Sequence, residues 1–449
     1  MKAKRNLIQI WLLCAAVLQA VTSGAQPVTK VAGGYDHSLF LKSSGSQWAM
    51  GDNGNGQLGD GTYNSTNRPE QIAVSGVTAI AAGEFHSLFL KSGGSLWAMG
   101  YNGDGQLGDG TYNDASLPEQ IVATNVTAIA AGETHSLFLK SDGSLWAMGD
   151  NYFGQLGDST YNPTNLPEQI VASNVTAVAA GSDYSLFLKS DGSLWAMGNN
   201  GDGELGDGTY NSTNVPEQIV ASNVTAIAGG YYHALFLKSG GSLWVMGNNE
   251  WGQLGDGTYN NTNRPEQIVV TNVTAIAGGY GHSLFLKSDG SLWAMGWNND
   301  GQLGDGTYNN TNRPEQIVAT NATAIAAGGF HSLFLESDGS LWAMGENDNG
   351  QLGDGTYGGV RYSTNRPEQI IAVPTGYNQL SIQLLSGGGV RLSFVGMAGA
   401  NYALDNSSSL MPASWVPLVT NPAGSGGALV FTITPNEDTN NFWRMRFVP

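Results

Sequence analysis

The sequence has a single cysteine among its 449 residues, at position 14. Because Cys14 lies in an N-terminal apolar stretch, the rest of the chain has no thiol, which excludes disulfide bonds and cysteine chemistry there. Basic residues are also scarce, since 18 Lys and Arg stand against 36 Asp and Glu, for a net charge of −18. Nucleic acid and anionic membranes repel such a chain, so we expect no nucleic-acid partner.

Helical periodicity is missing as well. No segment shows apolar side chains at helical spacing over the roughly 11 residues that such a pattern needs. Glycine is abundant instead, with 64 residues, and 41% of the chain is apolar. This is enough apolar material for a large core, so the glycines are assigned to turns and not to a disordered or collagen-like tract.

Residues 1–25 have the pattern of a signal peptide. A basic start at residues 2–5 precedes the apolar run Leu7–Val21 and the small-residue site Ser23–Ala25. A retained membrane anchor is the alternative, but two glutamines interrupt the run, and it is short for a span of roughly 20 residues. A lipoprotein would need a small residue before Cys14, where Leu13 stands. We therefore expect a protein secreted or held in the cell envelope, with no membrane span after cleavage and a net charge of −21 from 15 basic and 36 acidic residues.

Tryptophan recurs at a constant interval of 49 residues. A fixed period near 50 is typical of stacked or radially arranged units. Seven such units follow one another from Val28 to about Val373, and we expect their tryptophans to lie in the core between units. The seven are Trp48, Trp97, Trp146, Trp195, Trp244, Trp293 and Trp342.

Each unit contains four candidate strands. In the second unit they are Val77–Ala82, His86–Lys91, Ser95–Met99 and Glu119–Ala123, and Gly-Gly or Asp-Gly marks a hairpin turn between the second and third. Four short antiparallel strands repeated seven times predict a seven-bladed β-propeller over residues 26–376.

The segments GEFHSLFL and WAMGYNGDGQLGDG of this second unit resemble the repeat of the RCC1 (regulator of chromosome condensation) family. The match recurs seven times over roughly 345 residues. The resemblance implies a ring that serves as a protein-docking platform. The eukaryotic namesake exchanges nucleotide on the GTPase Ran and sits on chromatin, and a signal peptide and an acidic surface fit neither role. Secreted bacterial relatives include a propeller that plugs the active site of a β-lactamase, which favours extracellular binding.

The C-terminal segment, residues 377–449, breaks the period. Its apolar and polar residues alternate in short runs separated by glycine-rich turns, which predicts a small β-sandwich without assigned activity. The predicted strands are Leu380–Leu385, Val390–Val395, Asn401–Asp405, Trp415–Val419, Leu429–Thr434 and Phe442–Phe447.

All six histidines occupy the same position of the repeat, and Tyr184 fills the seventh place. A zinc site would need about four ligands around one point, whereas equivalent positions of a propeller are held apart by the radius of the ring. We expect these histidines to be structural, with a ring nitrogen bonded to the blade backbone, and we expect no metal or cofactor. They are His37, His86, His135, His233, His282 and His331.

A second constant position is the aspartate of the Gly-Asp-Gly loop, from Asp60 to Asp354. Such an aspartate is typically a turn residue that bonds nearby backbone N–H groups. Calcium binding is the alternative, although the loop lacks the carboxylate spacing and distal Glu of an EF-hand. Because every polar residue type is shared by near-identical repeats, no unique catalytic group stands out, and we predict that the protein is not an enzyme.

Two loops of the repeat vary and carry aromatic residues, while the remaining turns barely change. In an antiparallel meander these two loops leave the same face, so we predict a binding face there. Drift among duplicated repeats is the alternative, and it would scatter exposed aromatics over both faces. The eleven predicted binding residues are Tyr35, Phe85, Tyr101, Tyr152, Phe153, Tyr231, Tyr232, Trp251, Tyr280, Trp297 and Phe330.

These patterns favour a monomeric binding protein whose partner is an extracellular or periplasmic protein. Glycan binding through exposed Tyr and Trp, or an adhesin-like surface role, is a second hypothesis. Nucleotide exchange on a small GTPase, as the family resemblance implies, would require a cytoplasmic location.

Overall fold

The computed structural model describes residues 26–317, 320–357 and 363–372, together with six strands between positions 380 and 448. The predicted signal peptide lies outside the described residues. The chain divides into a compact unit, Val28–Ile371, and a second unit that contains the strands beyond Ala372. Within the described residues, no helix is long and apolar enough to cross a membrane.

The unit Val28–Ile371 consists of seven antiparallel sheets of four strands, each sheet built from consecutive strands of one repeat. The prediction of an all-β, seven-bladed propeller is therefore confirmed. We number the blades in chain order. Blade 1 contains β1 (Val28–Gly33), β2 (His37–Lys42), β3 (Gln47–Gly51) and β4 (Thr66–Gln71); blade 2, β5 (Val77–Ala82), β6 (His86–Lys91), β7 (Ser95–Gly100) and β8 (Ala115–Gln120); blade 3, β9 (Val126–Ala131), β10 (His135–Lys140), β11 (Leu145–Gly149) and β12 (Thr164–Val171); blade 4, β13 (Val175–Ala180), β14 (Tyr184–Lys189), β15 (Leu194–Gly198) and β16 (Thr213–Val220).

The remaining three blades repeat the same order. Blade 5 contains β17 (Val224–Gly229), β18 (His233–Lys238), β19 (Ser242–Gly247) and β20 (Thr262–Gln267); blade 6, β21 (Val273–Gly278), β22 (His282–Lys287), β23 (Leu292–Gly296) and β24 (Thr311–Gln316); blade 7, β25 (Ala322–Ala327), β26 (His331–Glu336), β27 (Leu341–Gly345) and β28 (Thr364–Ile371).

The fourth strand of blade 2 differs from its prediction. In blade 2 it was expected at Glu119–Ala123, after Pro118, but β8 spans Ala115–Gln120 and contains the proline. Proline is tolerated there because this strand forms the outer edge of its sheet, where one side of the backbone needs no partner.

The core lies between neighbouring blades. Leu88 and Leu96 of blade 2 pack in one buried cluster with Phe138 and Met148 of blade 3. The tryptophans lie at the edge of these clusters, partly buried, as Trp146 does beside Phe138 at a ring distance of 6.0 Å. Trp146 therefore lies beside the buried layer between blades 2 and 3, stacked on a phenylalanine of its own blade.

A constant loop ties each blade to the next. Leu58 of the Gly-Gln-Leu-Gly segment is buried, and the carbonyl oxygen of Gln57 accepts a hydrogen bond of 2.8 Å from the Ser87 hydroxyl of blade 2. Gly59 has a φ of 77°, and a Cβ there would lie 2.4 Å from the sulfur of Met99. The positive φ therefore favours glycine at this position, and any larger residue would also have to displace the Met99 side chain.

The ring closes between blades 7 and 1, each of which is built from four consecutive strands of its own repeat. The amide of Val28 donates to the carbonyl of Gly339 at 2.9 Å, and the amide of Gly355 donates to the carbonyl of Asn67 at 2.8 Å. Equivalent bonds occur at other junctions, such as that from Gly61 to Ser116. The closing junction is therefore built like the others.

The second unit contains two antiparallel sheets of three strands, in the orders β29-β30-β33 and β32-β31-β34. Six strands occur close to the six predicted positions, and the sandwich arrangement stays a prediction. The strands are β29 (Leu380–Leu384), β30 (Val390–Val395), β31 (Asn401–Ser407), β32 (Val416–Pro422), β33 (Ala428–Ile433) and β34 (Phe442–Val448).

Candidate binding site over the central cavity

The seven blades meet around a cavity of about 120 Å³. Small residues at the ends of the first strands line it, because only glycine and alanine leave room where seven chains converge. Gly34, Gly132 and Gly230 contribute to its wall, while Tyr35, Glu84, Glu133 and Tyr231 stand at one end. Those four larger residues belong to the variable loops that follow the first strands.

Tyr35 connects aromatic side chains from several blades. Its ring lies 6.3 Å from Phe85 of blade 2, 5.5 Å from Tyr231 of blade 5 and 5.4 Å from Phe330 of blade 7, between ring centroids. Side chains from blades on different sides of the ring therefore converge above the cavity. Contacts at these distances are typical of attractive aromatic pairs.

The cluster extends into the second variable loop. Trp251 lies 4.7 Å from Trp297 and 5.7 Å from Tyr280, and Phe85 lies 6.4 Å from Tyr101. The two variable loops thus meet, as the meander predicted. We call this surface the axial aromatic cluster; its nine members, all partly exposed, are Tyr35, Phe85, Tyr101, Tyr231, Tyr232, Trp251, Tyr280, Trp297 and Phe330.

The other two predicted binding residues are not part of this cluster. Tyr152 and Phe153 of blade 3 are 67% and 42% exposed, and no ring contact joins either of them to another aromatic in the described part of the chain. They lie in the corresponding loop of a blade whose first loop, Glu133-Thr134, carries no aromatic residue.

Acidic residues accompany the axial aromatic cluster. Burial, with the neighbouring Asp52, raises the pKa of Asp36 to about 6, and burial with Glu133 raises that of Asp183 to about 7. Burial, followed by the charge of Asp36, raises the pKa of Glu346 to about 8. The pKa of Glu84 is raised in the same way by burial and by Glu133. This end of the cavity therefore concentrates carboxyl groups that a cation would stabilise in their ionised form.

The histidine column makes contacts between blades. The Nε2 atom of His37 lies 2.9 Å from the hydroxyl of Ser87 in the next blade, and that hydroxyl donates to the carbonyl of Gln57. Since the hydroxyl has one proton and donates it to the carbonyl, it accepts from Nε2–H, which assigns the histidine tautomer. The ring nitrogen therefore has a side-chain partner where a backbone partner was expected. The same pairing joins His86 to Ser136, His135 to Ser185, His233 to Ser283, His282 to Ser332 and His331 to Ser38.

At the seventh junction, between blades 4 and 5, both the histidine and the serine are replaced. Tyr184 stands in place of the histidine, and Ala234 stands in place of the serine of the next blade. The Tyr184 hydroxyl donates instead toward the carbonyl oxygens of Gly230 and His233. Complete burial lowers the pKa of the six histidines to about 3 or 4, so they are neutral at physiological pH.

The aspartate column has the turn geometry that the sequence predicted. Asp60 accepts from the amide of Thr62 at 2.8 Å and from Nδ2 of Asn53 at 3.0 Å. Asp354 has the same partners in Thr356 and Asn347. Within the described residues, no group of three or more His, Cys, Asp or Glu side chains is arranged to hold a metal ion.

One exposed feature was missed at the sequence level. The tyrosine of each Gly-Asp-Gly-Thr-Tyr loop, or Gly-Asp-Ser-Thr-Tyr in blade 3, is between 48% and 55% exposed. Its constancy led to no functional prediction, although a large aromatic in a polar loop was a visible signal. The seven are Tyr63, Tyr112, Tyr161, Tyr210, Tyr259, Tyr308 and Tyr357.

Seven four-stranded blades around a central cavity define the class of seven-bladed β-propellers. A family model of the RCC1-like domain matches residues 15–220 and 77–391 of this sequence. The chain belongs to that family, whose fold is generally one for binding or regulation.

Solved structures agree with this assignment of the fold. Human WBSCR16 is 27% identical, with a TM-score of 0.63 over 69% of this chain and 86% of that chain. Prp20p of Saccharomyces cerevisiae, studied with its binding to Gsp1p and histones, is 22% identical, with a TM-score of 0.67 over 82% and 90% of the two chains. A search of curated protein sequences gives no significant match.

Proposed function

We propose that this protein is an exported, non-catalytic binding protein that docks a protein partner on the axial aromatic cluster. The observation that carries the proposal is the convergence of nine aromatic side chains, from blades 1, 2, 5, 6 and 7, beside the central cavity. Tyr and Trp dominate binding hot spots because they supply large contact area with few rotatable bonds.

The carboxyl groups of the same surface indicate the chemistry of the partner. Asp36, Asp183 and Glu346 are partly buried acids, and the whole sequence is strongly acidic. A lysine or arginine side chain would find both a carboxylate and an aromatic face here, and cation–π contacts reinforce such binding. We therefore expect a partner segment that combines basic and apolar residues.

Export is the second part of the proposal. It rests on the pattern of residues 1–25, and it predicts a mature chain that begins at Gln26. N-terminal sequencing of material recovered from the medium or the cell envelope tests it. A soluble cytoplasmic protein that retains Met1 would overturn export and would favour nucleotide exchange on a GTPase as the function.

Affinity capture from the secreted proteins of the native organism tests docking. Trp251→Ala and Trp297→Ala should each weaken binding of the captured partner by roughly 2 kcal/mol if these residues are hot spots. Asp142→Ala and Asp191→Ala are matched controls, since both lie in constant turns at the opposite end of their blades, exposed to solvent, and should leave affinity unchanged. If the turn variants lose binding and the tryptophan variants keep it, the proposed surface is wrong.

A further inference from the structure

The exposed tyrosines of the constant loops lie where neighbouring blades meet. The hydroxyl of Tyr308 in blade 6 donates to the carbonyl of Ser363 in blade 7 at 3.2 Å. Likewise, the hydroxyl of Tyr357 in blade 7 donates to the carbonyl of Ser65 in blade 1 at 2.9 Å. In these two loops the hydroxyl therefore fixes the ring across the junction, while about half of each side chain stays exposed.

A pocket of about 300 Å³ lies beside Tyr308. Its wall combines this aromatic ring with Thr356, Asn365, Asp354 and Glu368 of blade 7. The volume is at the lower end of the range for small-ligand sites. One aromatic face among hydroxyl, amide and carboxylate groups provides both a stacking platform and hydrogen-bonding partners.

Arginine adds a forked donor at the same junction. A Cβ on Gly306, two residues before Tyr308, would lie 2.7 Å from the guanidinium of Arg366, so that group covers the glycine of the preceding blade. Arg366 is exposed, and no ion pair engages it in the described part of the chain. The junction of blades 3 and 4 shows the alternative, since Ser159 replaces the glycine and Val215 replaces the arginine.

Four adjacent junctions carry the complete set of tyrosine, asparagine, glutamate and arginine. They join blades 4 and 5, 5 and 6, 6 and 7, and 7 and 1. The tyrosines are Tyr210, Tyr259, Tyr308 and Tyr357. The arginines are Arg264, Arg313, Arg366 and Arg68. At each junction the guanidinium lies 2.7 Å or less from the position that a Cβ on the loop glycine would take.

We propose that these four junctions form repeated binding sites for a neutral, hydroxyl-rich polysaccharide. The C–H groups on one face of a sugar ring carry partial positive charge and pack against the negative face of an aromatic ring. The planar guanidinium donates to adjacent hydroxyls, and Asn and Glu side chains accept from others. Each site has one arginine against an aspartate and a glutamate, so a polyanion gains no net attraction there.

Repetition makes the expected binding multivalent. One extended chain that occupies several equivalent sites gains avidity, because the later contacts form within a complex that already exists. Loss of one site should therefore weaken binding slightly, whereas loss of three should remove most of it. This surface shares no residue with the axial aromatic cluster, so the two proposals stand independently.

Native affinity electrophoresis of the full chain tests the proposal. Gels contain hydroxyethyl cellulose, xylan, galactomannan or dextran, with polygalacturonate as the anionic comparison. We expect retardation by at least one neutral polymer, and the triple variant Y210A/Y259A/Y308A should raise the apparent dissociation constant at least about tenfold. The triple variant to phenylalanine retains the rings and should keep most of the affinity.

Two further variants separate binding from folding. R264A/R313A/R366A leaves the tyrosines in place and should also reduce retardation, while Y152A/F153A removes exposed aromatics elsewhere and should not. The proposal is overturned if no neutral polymer retards the protein, if polygalacturonate alone does so, or if both triple alanine variants bind like the parent chain.

Discussion

The junction between blades 4 and 5 allows a direct test of how the ring is held together. Six junctions pair a buried histidine with a serine, and this one pairs Tyr184 with Ala234. We predict that Tyr184→His and Ala234→Ser are coupled, so that the double variant is more stable than the sum of its single changes implies. The reason is that the new imidazole needs a hydroxyl partner, which only the Ala234→Ser change supplies.

The structure gives the expected magnitudes. In Tyr184→His alone, the imidazole N–H faces the methyl group of Ala234, and an unmatched buried donor costs about 1–3 kcal/mol. In the double variant, the hydroxyl introduced by Ala234→Ser donates to the carbonyl of Glu204, as Ser87 donates to Gln57, and accepts from the imidazole. We expect a coupling free energy of about 1–2 kcal/mol, with Ala234→Ser alone costing about 1 kcal/mol through crowding against the tyrosine ring.

Urea denaturation of the four proteins measures this coupling. Tryptophan fluorescence reports mainly on the propeller, because nine of the 12 tryptophans belong to the unit Val28–Ile371. The differences in unfolding free energy should be obtained from the shifts in urea midpoint and one m-value shared by the four proteins. A shared m-value is used because a chain with two compact units need not unfold in one step. A coupling below about 0.5 kcal/mol, with both single variants folded, would show that the histidine–serine contact contributes little to the junction.

Three further predictions concern protons and metals. Stability should be greatest between about pH 6 and 7. Below this range the unfolded chain protonates its histidines while the buried native ones, with pKa values of about 3 or 4, stay neutral, so stability falls on acidification. Native Asp183 and Glu346, with pKa values raised to about 7 and 8, hold protons that the unfolded chain releases near pH 4, so their contribution to stability falls from about pH 4 to 8 and dominates once the histidines are neutral in both states. Thermal melts across this pH range test it, and a stability that rises steadily to pH 9 would contradict the assignment. A chelator should leave the melting temperature unchanged, because each histidine Nε2 is bonded to serine; a drop of more than about 5 °C would indicate bound metal. Binding of a basic partner at the axial aromatic cluster should strengthen as pH rises from 6 to 8, since a cation favours ionised Asp36, Asp183 and Glu346; titration calorimetry in two buffers should detect proton release, and its absence would place the partner elsewhere.

Much of the blade was predictable because its pattern is local. Val77–Ala82 and His86–Lys91 form strands with the predicted bounds, since alternating apolar residues and a glycine turn determine both. The fourth strand was misplaced because Pro118 suggested a boundary, and only the edge position of the strand explains why proline is tolerated inside it. Edge position is a property of the sheet and not of the segment.

The contacts of the site depend on the closed ring. Tyr35 and Tyr231 are distant in sequence, and no repeat by itself indicates that their rings lie 5.5 Å apart. The partner of each histidine is a serine of the next repeat, and no pattern within a single repeat links the two positions. The exposed tyrosines of the Gly-Asp-Gly-Thr-Tyr loops were not predicted, because the sequence does not show that a constant aromatic residue stays about half exposed.

The closing junction between blades 7 and 1 has a topological consequence. Val28 and Ile371, at the two ends of the propeller unit, pack in one cluster, and the bonds there match those at other junctions. The closure of the ring therefore does not depend on which blade comes first in the sequence. A short linker between these ends, with a new opening at the turn before Val77 or before Val126, should yield a circular permutant with the same fold. A chain that starts at any of the seven blades, in the same cyclic order, should therefore fold into the same ring.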